Sequence, residues 1–235
     1  FRCQRQSLKD FMGVRFGVVR GDFLCSENSL TSLEGAPKKV TGKFDCRENN
    51  LTTLKGAPQH VGGNFICSNN QLTSLEFGPM KVGGFYTCID NSLTSLKGSP
   101  VEVLDGGFFC KGNQLSDLEG SPQRVGKNFD CQNNRLTSLK GSPIYVGENF
   151  NCSGNQLTTL EGSPKHVGAS FTCSDNRLTT LKGAPDIISS NFDCFENLLT
   201  SLEGAPEWIG LHLACGRNRL TSLEGAPKGI RGEFM

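Results

Sequence analysis

Apolar and polar positions alternate on a fixed beat through almost the whole of this 235-residue chain. Phe-x-Cys comes first, then Asn, then two Leu three residues apart, then Gly, Pro, and a Val or Ile before the beat restarts. Phe-x-Cys has a period of two, so it predicts a very short strand with Phe and Cys on one face and their neighbours on the other. Asn, Thr, Gly and Pro follow at once and stop that strand from continuing. The remaining side of each unit predicts irregular or 3-10 structure.

Ten of the eleven cysteines set the register, at Cys25, Cys46, Cys67, Cys88, Cys110, Cys131, Cys152, Cys173, Cys194 and Cys215. Each step is 21 residues except Cys88 to Cys110, which is 22. With Cys as position 0, Asn stands at +3, Leu at +5 and +8, and Pro at +12 in all ten units; +10 is Gly except for Phe77, and +15 is Val or Ile. "LTSLEGAP" is the most regular stretch of the unit. Self-similarity at a period near twenty marks a solenoid. One unit cannot bury Phe, Cys, two Leu and Val alone, but stacked units can, with their strands paired in parallel about 4.8 Å apart. The fold class expected is therefore a repeat solenoid of ten coils, on the order of 50 Å long at that spacing.

Two columns have a definite task in such a stack. A buried Asn amide at a turn must find partners, so Asn28, Asn49, Asn70, Asn91, Asn113, Asn134, Asn155, Asn176, Asn197 and Asn218 are expected to form a structural ladder bridging backbone groups of adjacent coils. Gly at +10 implies a backbone position with positive φ.

F-x-C-x-x-N-x-L matches the L-x-L-x-x-N-x-L core of leucine-rich repeats, with Phe and Cys in two of the Leu places. N-x-L-T-x-L with a following Pro resembles the short bacterial class of that family, although each unit here is one residue longer and has E/K-G-A/S where that class has P-x-L. The "LTSLEGAP" units also resemble repeats carried by bacterial and tailed-phage proteins. The resemblance covers residues 22–234 and implies a leucine-rich-repeat-like solenoid that binds through its strand sheet. Residues 1–21 read as a degenerate capping unit, with Cys3 in the Cys column and no Pro. The solenoid proper occupies 22–235. Its end at "GEFM", where another Cys is due, leads to the expectation that the repeat is cut short there, just as the missing initial Met suggests an upstream segment.

Charge changes the picture only by exclusion. Lys+Arg number 24 and Asp+Glu 23, a balance without the basic excess that nucleic acid or an acidic membrane calls for. No apolar run is long enough to span a bilayer, so no membrane insertion is expected. Position +9 alternates Glu34, Lys55, Glu76, Lys97, Glu119, Lys140, Glu161, Lys182 and Glu203, a pattern that acts between coils. No C-x-x-C pair, zinc-finger spacing or familiar catalytic motif is present, so neither metal, cofactor nor enzymatic activity is expected. His60 and His166 are five units apart, too far to share a metal. The cysteines share one inward column and read as free core thiols, which fits a reducing, cytoplasmic compartment or a virion assembled in one.

Positions flanking Phe and Cys should face outward. Most are small or polar, but Ile66, Phe85, Ile89 and Phe109 would lie together, with Lys111 beside them. The same region holds the two breaks in pattern, Phe77 at +10 and an extra residue near Leu104–Asp105. A second group, Phe195, Leu198, Trp208 and Leu211, stands near the other end. These are the candidate binding residues, since exposed apolar clusters mark interaction sites. The expected function is a non-catalytic module that recognises another macromolecule, a protein above all, through the outward face of the sheet. Two alternatives stay open: a structural part of a phage particle or filament, contacting itself or other virion proteins, and the targeting domain of a larger effector enzyme.

Overall fold

The computed structural model describes residues 1–11 and 13–235. Every coil contributes two-residue strands, all pairings are parallel, and no helix occurs among the described residues. Strands at the Phe-x-Cys position form a ten-stranded sheet, from Phe23–Leu24 through Phe44–Asp45 and onward to Leu213–Ala214, in chain order. Its register matches position to position, Phe44 to Phe65 and Asp45 to Ile66. This sheet is the first ladder.

The side expected to be irregular or 3-10 carries a second ladder, built by the +15 Val or Ile and the residue before it. Val18–Val19, Lys39–Val40, His60–Val61 and Lys81–Val82 pair in one group, Glu102–Val103 to His166–Val167 in a second, and Ile187–Ile188, Trp208–Ile209 and Gly229–Ile230 in a third. Each strand is too short to show a period, but its pattern is the ordinary one: Val61 and Val146 point inward, His60 outward. Stacking, not local sequence, supplies the hydrogen bonds.

Between the ladders lies a continuous core. Rings at the Phe position stack from coil to coil, with centroids 5.4 Å apart for Phe23–Phe44 and 5.6 Å for Phe108–Phe129. Tyr86 takes one place in this stack, fully buried, and its hydroxyl has no hydrogen-bond partner. The Leu at +5 and +8 are buried from Leu30 to Leu202 and the column cysteines from Cys25 to Cys215, while in the last coil Leu220 is half-buried and Leu223 exposed. All eleven cysteines are free, and the column thiols from Cys46 to Cys173 lie against a carbonyl of the next coil, as Cys131 Sγ does at 3.3 Å from Asn151 O. Burial raises the thiol pKa values well above the ordinary range.

The Asn column joins three backbone segments at once. Asn134 Nδ2 donates to Cys110 O of the preceding coil at 3.1 Å and to Cys131 O of its own at 3.0 Å, while Oδ1 accepts the Leu115 N–H at 3.1 Å. Position +10 has positive φ in the Gly coils, and Phe77 adopts it too, at 69°. Residues 1–21 stack as one more coil: Val18–Val19 pairs with Lys39–Val40, and Phe1, Phe11 and Phe16 cluster around Phe23.

A second close approach explains where the second ladder stops. At +16 most coils carry Gly, and a Cβ on Gly83, Gly126, Gly147, Gly168 or Gly210 would run into the carbonyl oxygen of the preceding +16 residue. Leu104 and Ser189 occupy that position in the two coils at which the ladder breaks. A side chain there holds the coil away from its predecessor, and Ser189 Oγ bridges the wider junction by donating to Gly168 O at 2.6 Å. Thr41 and Arg231 stand at +16 without a break, in coils next to the ends of the stack, where a neighbour can give way.

Candidate binding surfaces

The first-ladder residues singled out from sequence come together in part. Phe85 and Phe109 are ring neighbours at 5.7 Å, with Lys127 Nζ 5.8 Å above Phe85. Ile66 pairs with Thr87, which pairs in turn with Phe109. Ile66, Phe85, Ile89, Phe109 and Lys111 are all half-buried, because on this face neighbouring side chains cover one another. The cover goes furthest at Asp45, which is fully buried between Lys43, 3.4 Å away, and Arg47, 3.6 Å away. Asp130, accepting Gln132 N–H and Nε2–H, has its carboxyl pKa raised by burial. Phe195 and Trp208 do not form one group: Phe195 follows the first ladder, under the Arg217 guanidinium at 5.2 Å, whereas Trp208 belongs to the second.

Away from the ends of the stack, the large apolar side chains that stay in water lie on the second-ladder side. At the junction of the third and fourth units Phe77, Met80, Val101 and Leu104 are 60%, 72%, 70% and 55% exposed. Met80, Val101 and Leu104 line a groove of about 850 Å³ that runs over Val40, Val61 and Val82, with Lys39, His60 and Lys81 along one wall and Glu102 and Asp105 at its far end. Its origin is the opened junction. Elsewhere Gly62 N–H donates to Val40 O and Met80 N–H to Gln59 O, but no backbone hydrogen bond of this kind joins Val101–Leu104 to Met80–Val82. The extra residue was visible as a break in the repeat; that the junction opens in the second ladder instead of the first was not.

Farther along the same side the outward column becomes aromatic. Arg124 lies 4.8 Å from the Tyr145 ring, and Tyr145 stacks on His166 at 4.6 Å and 7°. Ile187 and Trp208 continue it beyond the second break, beside a smaller groove of about 440 Å³. The +9 charges pair in twos, Lys55 with Glu34 at 2.8 Å, Lys97 with Glu76 at 2.8 Å, Lys140 with Glu119 at 2.6 Å and Lys182 with Glu161 at 3.0 Å. These pairs are exposed, so they set register more than they add stability. Among the described residues no group of three His, Cys, Asp or Glu could hold a metal ion.

What makes the chain a leucine-rich-repeat-like solenoid is its own coil: a parallel ladder, inward Leu at +5 and +8, and an Asn that ties each coil to the last. No protein-family model and no curated protein matches it. Among solved structures, YopM from Yersinia enterocolitica WA-314 is similar at 17% identity and a TM-score of 0.39, over 91% of this chain and 64% of YopM. The chain thus spans less than two thirds of YopM's length. A leucine-rich-repeat protein of Leptospira interrogans is similar at 14% identity and a TM-score of 0.28, over 83% of this chain and 72% of that one.

Proposed function

We propose that the chain is a passive repeat scaffold that binds another protein, and that the partner seats at the opened junction of the second ladder. One observation carries this reading: Met80, Val101 and Leu104, each more exposed than buried, gather in water around a groove. Apolar residues of that size become binding anchors when a partner removes them from water. The unbroken first ladder keeps the surface rigid, so little binding energy is spent on ordering it. The free-thiol column supports the same scaffold working in a reducing compartment, or in a virion assembled in one.

The test places a photoreactive residue at Val101 or at Phe109 of the protein in its native source. The expected result is a defined protein adduct from position 101 that disappears when Met80→Ser and Leu104→Ser are added, with the thermal melt unchanged. An adduct from 109 alone moves the site to the Phe85–Phe109 pair on the first ladder. Absence of an adduct from both positions ends the reading.

A further inference from the structure

The chemistry of the groove selects what kind of segment fits it. In the first three units the outward column of the second ladder reads Lys39, His60, Lys81, in register on adjacent strands, with Lys38 next to the first. All four are exposed. Where the repeat pairs cations between coils it does so with carboxylates, as at Lys55–Glu34, Lys97–Glu76, Arg217–Glu196 and Lys228–Glu207. Among the described residues Lys38, Lys39, His60 and Lys81 have no such partner within the chain. The lysine charges at Lys38, Lys39 and Lys81, left without carboxylates, add nothing to the fold. They do supply a field of one sign along the wall of an apolar groove.

The floor and far end narrow the choice further. Val40, Val61 and Val82 lie along the floor, and Met80, Val101 and Leu104 rise from it at the seam. The absence of backbone hydrogen bonds between Val101–Leu104 and Met80–Val82 leaves strand-edge donors and acceptors at that point. An extended peptide can satisfy such groups by main-chain pairing, whereas the hydrocarbon of a bilayer cannot. Glu102 and Asp105 repel an acidic residue at the seam, so negative charge is confined to the part of the groove over the first three units. The volume lies within the range of clefts that hold specific ligands.

Resting on the scaffold reading above, we infer that the partner presents an extended segment whose acidic half lies along Lys39, His60 and Lys81 and whose apolar half fills the seam at Met80, Val101 and Leu104. The experiment uses the whole chain and three probes: a labelled peptide with an acidic half and a Leu/Val/Phe half, the same peptide with Lys for its acidic residues, and vesicles of phosphatidylserine with phosphatidylcholine. The acidic peptide should bind about tenfold or more tighter than the basic one. Lys39→Glu with Lys81→Glu should reverse that order at an unchanged melting temperature, added salt should weaken the acidic peptide, and Met80→Ser with Val101→Ser should weaken both.

Equal binding of the two peptides, lost from both in the Met80/Val101 variant, overturns the acidic partner and leaves the seam as the site. Peptide binding indifferent to the Met80/Val101 variant overturns both. Binding of vesicles without discrimination between peptides replaces the peptide with an anionic membrane surface, and binding of no probe at all also overturns the inference.

Discussion

The two ladders are made by the same coils, yet one runs unbroken through ten strands and the other falls into groups of four, four and three. Backbone hydrogen bonds are common to both. What differs is the side chains that cross from coil to coil. Behind the first ladder, stacked rings and the three-way Asn amide tie each coil to its neighbour, so an extra residue near Leu104–Asp105 leaves it paired, Tyr86 to Phe108. The second ladder has no comparable tie. Its continuity through the interior coils depends on Gly at +16, and Leu104 or Ser189 is enough to interrupt it. A solenoid can therefore keep one rigid spine and vary the opposite side, which is where its apolar surface emerges.

The comparison can be broken most strongly with alkali, because the ten buried column thiols stand behind the first ladder. Burial raises their pKa in the folded chain, while in the unfolded chain a thiol ionises near its ordinary value of about 8.5. Their contribution is complete below that value and is lost as pH rises above it, at about 1.4 kcal/mol per thiol for each pH unit. Denaturant melts from about pH 8 to about pH 10 should show a steep fall in stability that becomes shallower when two column cysteines are replaced by Ala. A flat profile would mean that the thiols are not the inert core groups described.

Next in size is Asn134→Ala. It strands the Leu115 N–H and leaves carbonyls of two coils without a donor, so a loss of about 3 kcal/mol is expected in chemical denaturation. Unchanged stability would show that the first ladder does not need its amide tie.

On the second ladder Gly147→Ala drives a methyl group into Gly126 O and should cost about 2 kcal/mol. Amide exchange should quicken between Arg124–Val125 and Tyr145–Val146 while the Phe129–Phe150 pairing stays protected. Loss of protection on both ladders would remove the distinction between them.

A smaller effect concerns Tyr86. A Cβ on Gly78 would lie 3.0 Å from the Tyr86 hydroxyl oxygen, and Gly78 stands where other units have Ala or Ser. Tyr86→Phe removes an unpartnered buried hydroxyl and should stabilise the chain by about 1 kcal/mol. Gly78→Ala should be costly alone and milder in the Tyr86→Phe background; strictly additive effects would separate the two residues. The smallest change is Ser189→Gly, which should let Ile187–Ile188 pair with His166–Val167 and slow exchange of the Ile188 and Ser189 amides, with little shift in overall stability.

Much of the molecule can be read from residue types alone. Cys25 to Cys215 set the coil length, and a polar amide amid Phe, Cys and Leu must be structural because burial without partners is costly. Positive φ at +10 follows from Gly in nine of ten units. The second ladder was not legible, since a pair such as Lys39–Val40 has no period to detect and becomes a strand only when His60–Val61 lies beside it. The groove on the second ladder was not legible either, since Met80 and Val101 show no pattern in sequence that marks them as exposed, whereas the outward Phe85 and Phe109 of the first ladder do come together, as ring neighbours.

What the chain determined by itself is everything that repeats: the period, the inward columns, the turn glycines and the Asn tie, because each follows from the chemistry of one coil and is enforced ten times over. What only the tertiary structure decided is where the repeat yields. Whether Leu104 or Ser189 at +16 opens a junction depends on the distance to a carbonyl in the preceding coil, and that distance exists only once the coils have stacked.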